Sequence, residues 1–347
     1  SLHDALPISP EPRANPYLRG HEAAEALAVE AMRGGRFHHA WLITGPPGIG
    51  KATFAFRFAR RLLAGAGQGA DLAVPETAAV FRRVAVGSHA DLLTIEREVN
   101  VKTKRLRTEI VVENAREIPA FMHLTPAEGG WRVVVVDGAE DLNRNAANAL
   151  LKVLEEPPAR AVLLLTCSAP GRLLPTIRSR CRRLGLAPLG EAAMGDVLSH
   201  YLPQLDADAR ARIMMLAEGS VGRALDLAGG GGVAMADLVG EVLAAVPDLP
   251  VMRAHQLADR IGRDEDAFST FMDMLRAGLA AAVRDAARGR ADPDQSRLLG
   301  LRPLDAWVDV WHALTRLQIE TEGAHLDKRQ GLVESFALLA GKSPGFP

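Results

Sequence analysis

The stretch Gly45-Pro46-Pro47-Gly48-Ile49-Gly50-Lys51-Ala52 constrains this chain more than any other. It follows an apolar run, Ala40-Trp41-Leu42-Ile43, and precedes a helix-like segment over 53–63. A glycine-rich turn ending in lysine, set between a strand and a helix, is the pattern of a phosphate cradle. Its glycines let backbone N–H groups converge on phosphate oxygens, and the helix N-terminus adds partial positive charge. Gly45, Gly48, Gly50 and Lys51 are therefore candidate nucleotide-binding residues. One component is missing. The hydroxyl that should hold Mg²⁺ beside the lysine is replaced by Ala52, and a methyl group cannot ligate a hard cation. Thr53 comes one residue late, turned by about 100° around the helix, and is kept as a candidate contact. The stretch reads as a true phosphate loop that hydrolyses nucleotide poorly. ATP binding itself stays open, with Mg²⁺ expected only if ATP is bound.

At 347 residues, two or three domains are expected. Apolar runs at 40–44, 91–95, 131–136 and 161–166 alternate with helical periodicity at 21–33, 52–64, 112–123 and up to Glu155. Asn143 is the N-cap of the last of these helices, and Pro119 is a candidate kink in the third. The four valines at 133–136 suit a parallel strand covered on both faces. Alternating strands and helices imply an α/β domain with a mainly parallel sheet. After Leu186 no strand pattern recurs. Helices are expected at about 190–202, 206–217 and 220–228, then a glycine linker at 229–232. Five more follow, at about 234–246, 251–262, 264–289, 303–321 and 326–340. Trp307 and Trp311 should share one face as bundle core. Residues 1–14 are expected to be a disordered or non-native leader.

Composition closes off several functions. A net charge of −1 argues against nucleic-acid binding through the bulk field. Two cysteines, Cys167 and Cys181, cannot form a disulfide framework or a four-cysteine zinc site. His38-His39 lacks a partner at metal spacing, so no metal site is expected. No run has the length of a membrane span, and a cytoplasmic location is the economical expectation. The basic stretch 97–107 reads as a solvated surface, with a DNA or partner contact as the alternative.

Asp137 ends the valine strand, where an aspartate in a phosphate-loop site helps to hold Mg²⁺; the next position, which should carry a glutamate base, is Gly138. Glu140 and Asp141 are expected to point elsewhere. Thr166 either contacts a terminal phosphate or caps a turn. Arg223 either reaches phosphate from the second domain or is solvated. In Ser179-Arg180-Cys181 the arginine is either a finger on a neighbour's nucleotide or half of a salt bridge within the chain. Glu155 and Glu156 diverge on their helix and read as helix-end charges.

Together these stretches, with the run Asn148-Ala149-Leu150-Leu151-Lys152-Val153-Leu154-Glu155-Glu156-Pro157-Pro158, make the chain similar to the AAA+ clamp-loader subunits of bacterial DNA polymerase III, of the delta-prime type. The resemblance covers residues 15–230, and more loosely the helical remainder. It implies a P-loop AAA+ core (15–186), a small helical lid (187–232) and an all-α collar (233–347) that joins subunits into a hetero-oligomeric ring. It also implies Arg180 as a finger offered in trans, and as partners the gamma/tau motor subunits, the delta subunit, the sliding clamp and primed DNA through the assembled complex, with no membrane. The chain would be an accessory subunit of a DNA-directed DNA polymerase, a nucleotidyltransferase. Motor members carry Lys-Thr or Lys-Ser and Asp-Glu where this chain has Lys51-Ala52 and Asp137-Gly138. An active motor ATPase, or a AAA+ protein of DNA repair, is the alternative. The zinc-binding cysteine cluster of many relatives is absent between Gly65 and Ile110, so no zinc is expected.

Overall fold

Residues 133–136 have no exposed surface, and the sheet is assembled around them. The strands are β1 (Ala40–Thr44), β2 (Leu92–Ile95), β3 (Arg132–Val136), β4 (Ala161–Cys167) and β5 (Arg182–Gly185). Their order is β2-β3-β4-β1-β5, and all pairings are parallel. The computed structural model describes residues 9–34, 37–65, 71–98, 107, 109–128, 130–229, 231–261, 267–323 and 326–341. The chain divides into two units, Ser1–Asp226 and Leu227–Pro347.

The first unit carries α1 (Glu22–Arg33), α2 (Lys51–Leu63), α3 (Ala79–Ala85), α4 (Val112–His123), α5 (Arg144–Glu155), α6 (Pro175–Arg180), α7 (Glu191–Tyr201), α8 (Ala207–Ala217) and α9 (Val221–Ala228). α4 runs through Pro119 to His123. The Asn143 side chain accepts from Ala146 N at 2.9 Å and starts α5, as expected. α4 and α5 cover one sheet face, where Leu42, Val134 and Leu163 meet Ile118, Leu150 and Val153. α2 packs on β3 and β4. Beside it the ring of Phe58 packs edge-on to Trp41 at 5.4 Å, and Phe37 bridges Trp41 and Trp131. Trp41 is fully buried, and its indole N–H donates to the carbonyl of His38 at 2.9 Å, so it packs without a lost hydrogen bond. Burying each such large side chain contributes about 1.5–3 kcal/mol.

Two elements of this unit go beyond the expected set. β5 has a single buried side chain, Leu184, so its arginines hide the strand pattern. α3 is a short helix with no side-chain cap. A third correction concerns the leader. Residues 1–8 lie outside the described residues, but Pro12–Ala14 forms a turn, and α2 ties it down. The buried Arg60 donates to the carbonyls of Arg13 and Asn15, both at 2.8 Å, with its guanidinium 4.6 Å from the Phe81 ring centroid. Burial lowers its pKa to about 10. Two satisfied carbonyls and a cation–π contact are reason enough for order before residue 15.

The second unit is helical: α10 (Gly232–Ala245), α11 (Val251–Ile261), α12 (Ala267–Ala287), α13 (Pro293–Leu299), α14 (Ala306–Gly323) and α15 (Lys328–Ala340). Phe268, Phe271, Leu275, Leu314 and Phe336 form its core with Trp307, and Trp311 packs against the same cluster. α13 was not expected, although Asp292 and Gln295 complete a capping box at its start. Within the glycine run, Gly231 has φ +95° and Gly232 opens α10; Gly230 is outside the described residues. Among the described residues no single helix is long and apolar enough to cross a membrane.

At the entry to β3, Arg132 is buried and donates to the carbonyls of Leu124 (2.8 Å) and Thr125 (2.7 Å), with Asp91 at 3.4 Å. Asp91 accepts the backbone N–H groups of Ala127 and Glu128 at 2.8 and 3.1 Å. Arg132→Met leaves a buried carboxylate and two carbonyls short of donors. It is expected to destabilise the first unit by about 3–5 kcal/mol, seen as a lower urea midpoint for that unit's transition.

Candidate nucleotide-binding site

Parallel strands bring the ends of β1, β3 and β4 to one edge of the sheet, where open α/β folds bind ligands. β1 runs into the glycine-rich loop, and Gly45 N donates to the Cys167 carbonyl at 3.3 Å, tying the loop's start to β4. Gly48 and Gly50 have φ of +73° and +97°, a left-handed backbone that glycine adopts at little cost. Three successive carbonyls of the loop are tied to other elements. Ser220 Oγ donates to Pro47 O at 3.1 Å, and Gly222 N donates to Gly48 O at 2.8 Å, both at the start of α9. The buried His21, before α1, meets Ile49 O with Nε2 at 2.7 Å. A carbonyl only accepts, so Nε2 carries the proton. In a trans peptide the next N–H points opposite to the carbonyl. The N–H groups of Gly48, Ile49 and Gly50 are therefore aimed by these three ties.

The loop borders a cavity of about 510 Å³, a usual size for a small-molecule site. One end is lined by Gly48, Gly50, Lys51, Ala52, Thr53 and Asp137, with Thr166 and Glu140 beside them. Tyr17, Leu18, Val197, Tyr201 and Leu225 make a more apolar end, where Asn15 Oδ1 accepts from Tyr201 Oη at 2.8 Å and from Tyr17 N at 2.9 Å. Lys51 is 8% exposed and donates to the carbonyl of Pro46 at 2.7 Å. Burial lowers its ammonium pKa, and the charges of Glu140 and Asp137 oppose that shift.

The fully buried Thr166 donates its hydroxyl to Asp137 at 2.5 Å and accepts from Gly138 N at 2.9 Å. Of its two expected roles, the structure shows local bonding. Gly138 has φ +81°, so a glutamate could not simply be written in there without backbone strain. Glu140 does not point elsewhere. One carboxylate oxygen accepts from Ser168 N at 2.7 Å, the other is buried, and the Cys167 thiol interacts with the same carboxylate. Asp141 also lines the cavity, 3.3 Å from Arg97 and 3.8 Å from Arg172. Burial raises its pKa against the pull of Arg97. Arg97 is a lining residue too, at the start of the basic stretch read as solvated; 99–106 lie outside the described residues.

Gly45 and Arg223 are not among the lining residues. The guanidinium of Arg223 is 3.9 Å from Glu218, and its backbone N–H donates to Ser220 Oγ. Arg180 closes α6 and pairs with Glu155 at 3.0 Å, also donating to the Thr176 carbonyl at 3.1 Å. Glu155 is thus more than a helix-end charge. Neighbouring arginines are occupied as well: Arg178 on the Pro170 carbonyl, Arg182 over Trp41 and Arg183 on Thr44. Burial pushes the thiols of Cys167 and Cys181 up to about 12, which keeps them unreactive. Among the described residues no cluster of three metal-ligating side chains occurs. With Ala52 beside the lysine and Asp137 engaged by Thr166, the residues present do not fit Mg²⁺.

The ties made by His21, Ser220 and Gly222 escaped the sequence reading, which also set Glu140 away from the site. Ser220-Val221-Gly222 carried a usable signal, a hydroxyl and a glycine opening a helix. A Cβ on Gly48 would lie 2.3 Å from Ser220 Oγ, and one on Gly222 would lie 3.1 Å from Gly48 Cα. Gly48→Ala is expected to cost about 2–3 kcal/mol, combining backbone strain with a lost hydrogen bond. Gly65, also left-handed at φ +83° but with open space around it, is the control. Gly65→Ala should cost about 1 kcal/mol. Equal shifts in thermal midpoint for the two variants would contradict the close approach.

The family model described as DNA polymerase III, delta subunit, matches residues 20–190. Over 195 residues the chain is 40% identical to the DNA polymerase III subunit delta' of Pseudomonas aeruginosa, covering 56% of this chain and 57% of that relative. The Escherichia coli delta' is 36% identical over 199 residues, again 57% of each chain. A tau/gamma subunit of Haemophilus influenzae is 30% identical over 212 residues, 60% of this chain and 29% of that one. The chain spans just over half the length of the delta' relatives it matches. Among solved structures, a DNA polymerase III gamma subunit-related protein from Thermotoga maritima covers 93% of this chain and 99% of its own, at 17% identity and TM-score 0.45. Likeness at that level adds no argument. The parallel sheet with a glycine-rich loop after β1, and the helices that follow, agree with the α/β core and helical remainder expected from the sequence.

Proposed function

We propose that the chain, whose residues 20–190 match the family model described as DNA polymerase III, delta subunit, is a non-hydrolysing clamp-loader subunit of the delta-prime type. In this reading it completes a cytoplasmic ring with gamma/tau and delta subunits and helps to load the sliding clamp on primed DNA. Its helical domains, 187–232 as lid and 233–347 as collar, serve that assembly. Arg180 is the finger lent to a neighbour's ATP. One observation carries the proposal: the cradle is intact, but Ala52 and Gly138 stand where the metal-binding hydroxyl and the catalytic carboxylate belong. The left-handed backbone at Gly138 supports a lasting loss.

Arg180 has to leave Glu155 to serve in trans. Both side chains are partly exposed, 35% and 53%, and such pairs hold by about 0–1 kcal/mol, so the release is cheap. Arg180→Ala is expected to leave ring assembly intact and to slow turnover at the neighbour's site by roughly tenfold or more. Unchanged DNA-stimulated ATPase in the reconstituted complex would remove the finger.

Glu140 supports a second reading, a motor ATPase of the gamma/tau type. Glu140 lines the cavity and is a substitute candidate for the missing base. Steady-state turnover by the isolated chain separates the two readings. The main proposal expects none above background with Mg²⁺ and saturating ATP. Brisk turnover lost in both Lys51→Ala and Glu140→Gln would favour the motor.

A further inference from the structure

We infer that the cavity is a nucleoside diphosphate site, holding ADP without a metal ion and in preference to ATP. This deepens the nucleotide-site reading above and rests on it.

What a diphosphate needs is present. The N–H groups of Gly48, Ile49 and Gly50 are aimed by the ties to Ser220, Gly222 and His21. They lead into α2, whose N-terminus favours anions. Lys51 borders the same cavity and donates to its own loop's Pro46 carbonyl. These groups are local to the loop, and no cation is required to complete them.

What a third phosphoryl group needs is engaged elsewhere or missing. The Thr166 hydroxyl is donated to Asp137. Arg223 lies by Glu218 and does not line the cavity. Position 52 offers a methyl group in place of the metal-binding hydroxyl. Four carboxylates, Glu96, Asp137, Glu140 and Asp141, line the cavity instead. Arg97 is there but is paired with Asp141, and Arg19 lines the cavity near Tyr17, at the more apolar end. In hydrolysing sites a bound Mg²⁺ would offset the charge of such carboxylates and of the phosphates. Here the ligand set does not fit Mg²⁺, so the extra negative charge of ATP meets Asp137 and Glu140 with no metal ion to offset them, and Lys51, which already feels both carboxylates, is shared with the diphosphate. Repulsion in a partly buried site is strong at these ranges, whereas ADP ends before it.

The test is equilibrium binding of fluorescent ADP and ATP analogues to the full chain, in Mg²⁺ and in EDTA. ADP should bind at least about tenfold more tightly than ATP, as the charge repulsion requires. EDTA should change the ADP affinity by less than about twofold, because no metal shares the site. Glu140→Gln, which removes one facing charge, should narrow the ADP-to-ATP ratio. Ala52→Thr should make ATP binding Mg²⁺-dependent, and Lys51→Ala should weaken both nucleotides. ATP binding as tightly as ADP, a need for Mg²⁺ in the wild type, no binding of either, or indifference to Lys51→Ala would each overturn the inference. So would an unchanged ratio in Glu140→Gln. The two proposals fail separately: absence of binding leaves the subunit role standing, while ATP turnover alongside a kept ADP preference removes that role and leaves this site.

Discussion

Hydrogen bonds to the carbonyls of Pro47, Gly48 and Ile49 shape everything at the site. Their donors come from far along the chain; Ser220 and Pro47 are 173 positions apart. Peptide planarity converts a held carbonyl into an aimed N–H, so the first turn of α9 and the start of α1 together set the direction of the cradle. The geometry also explains two glycines at once. Gly48 needs its positive φ, and Gly222 needs the absence of a side chain because the two backbones touch.

The cradle is shaped, yet its surroundings are arranged for holding rather than for reaction. Thr166 joins the ends of β3 and β4 by bonding both Asp137 and Gly138. That network satisfies buried polar groups and stiffens the sheet edge, but it spends the hydroxyl inside the protein. The same holds for the arginines: Arg223 faces Glu218 and Arg180 faces Glu155. Glu140 is held less fully, with one oxygen on Ser168 N and the other buried beside the sheet edge's own groups. A carboxylate left so is costly unless a neighbouring cation answers it, and Lys51 is near enough to feel its charge.

How much of this was legible in the sequence depends on the range of the interaction. Strands with dense apolar runs, 133–136 above all, and helices with a strong local cap such as Asn143 were readable, because period and capping are local. β5 was not, since only Leu184 of its four residues is buried and its arginines are satisfied by Trp41 and Thr44 across the fold. α13 carried a full capping signal, Asp292 with Gln295, which went unread between two long helices. At the site, the loop's chemistry was written in Gly48, Gly50, Lys51 and Ala52. The position of Glu140 was not, because the short turn Ala139–Asp141 folds it back toward Ser168. The placements of Arg180 and Arg223 were equally non-local. Spacing names the residue type, but the partner is chosen by tertiary contact.

A crystal structure of the full chain grown with ADP and Mg²⁺ tests the central claim most directly, because it records the cradle, its ties and the metal position together. The expected result is a diphosphate received by the N–H groups of Gly48, Ile49 and Gly50, with Lys51 moved from the Pro46 carbonyl to phosphate. Ser220 and Gly222 should still be bonded to the loop, and no ion should lie beside Ala52. A Mg²⁺ ion seated between Asp137 and the phosphates, or a loop parted from Ser220 and Gly222, would contradict the account.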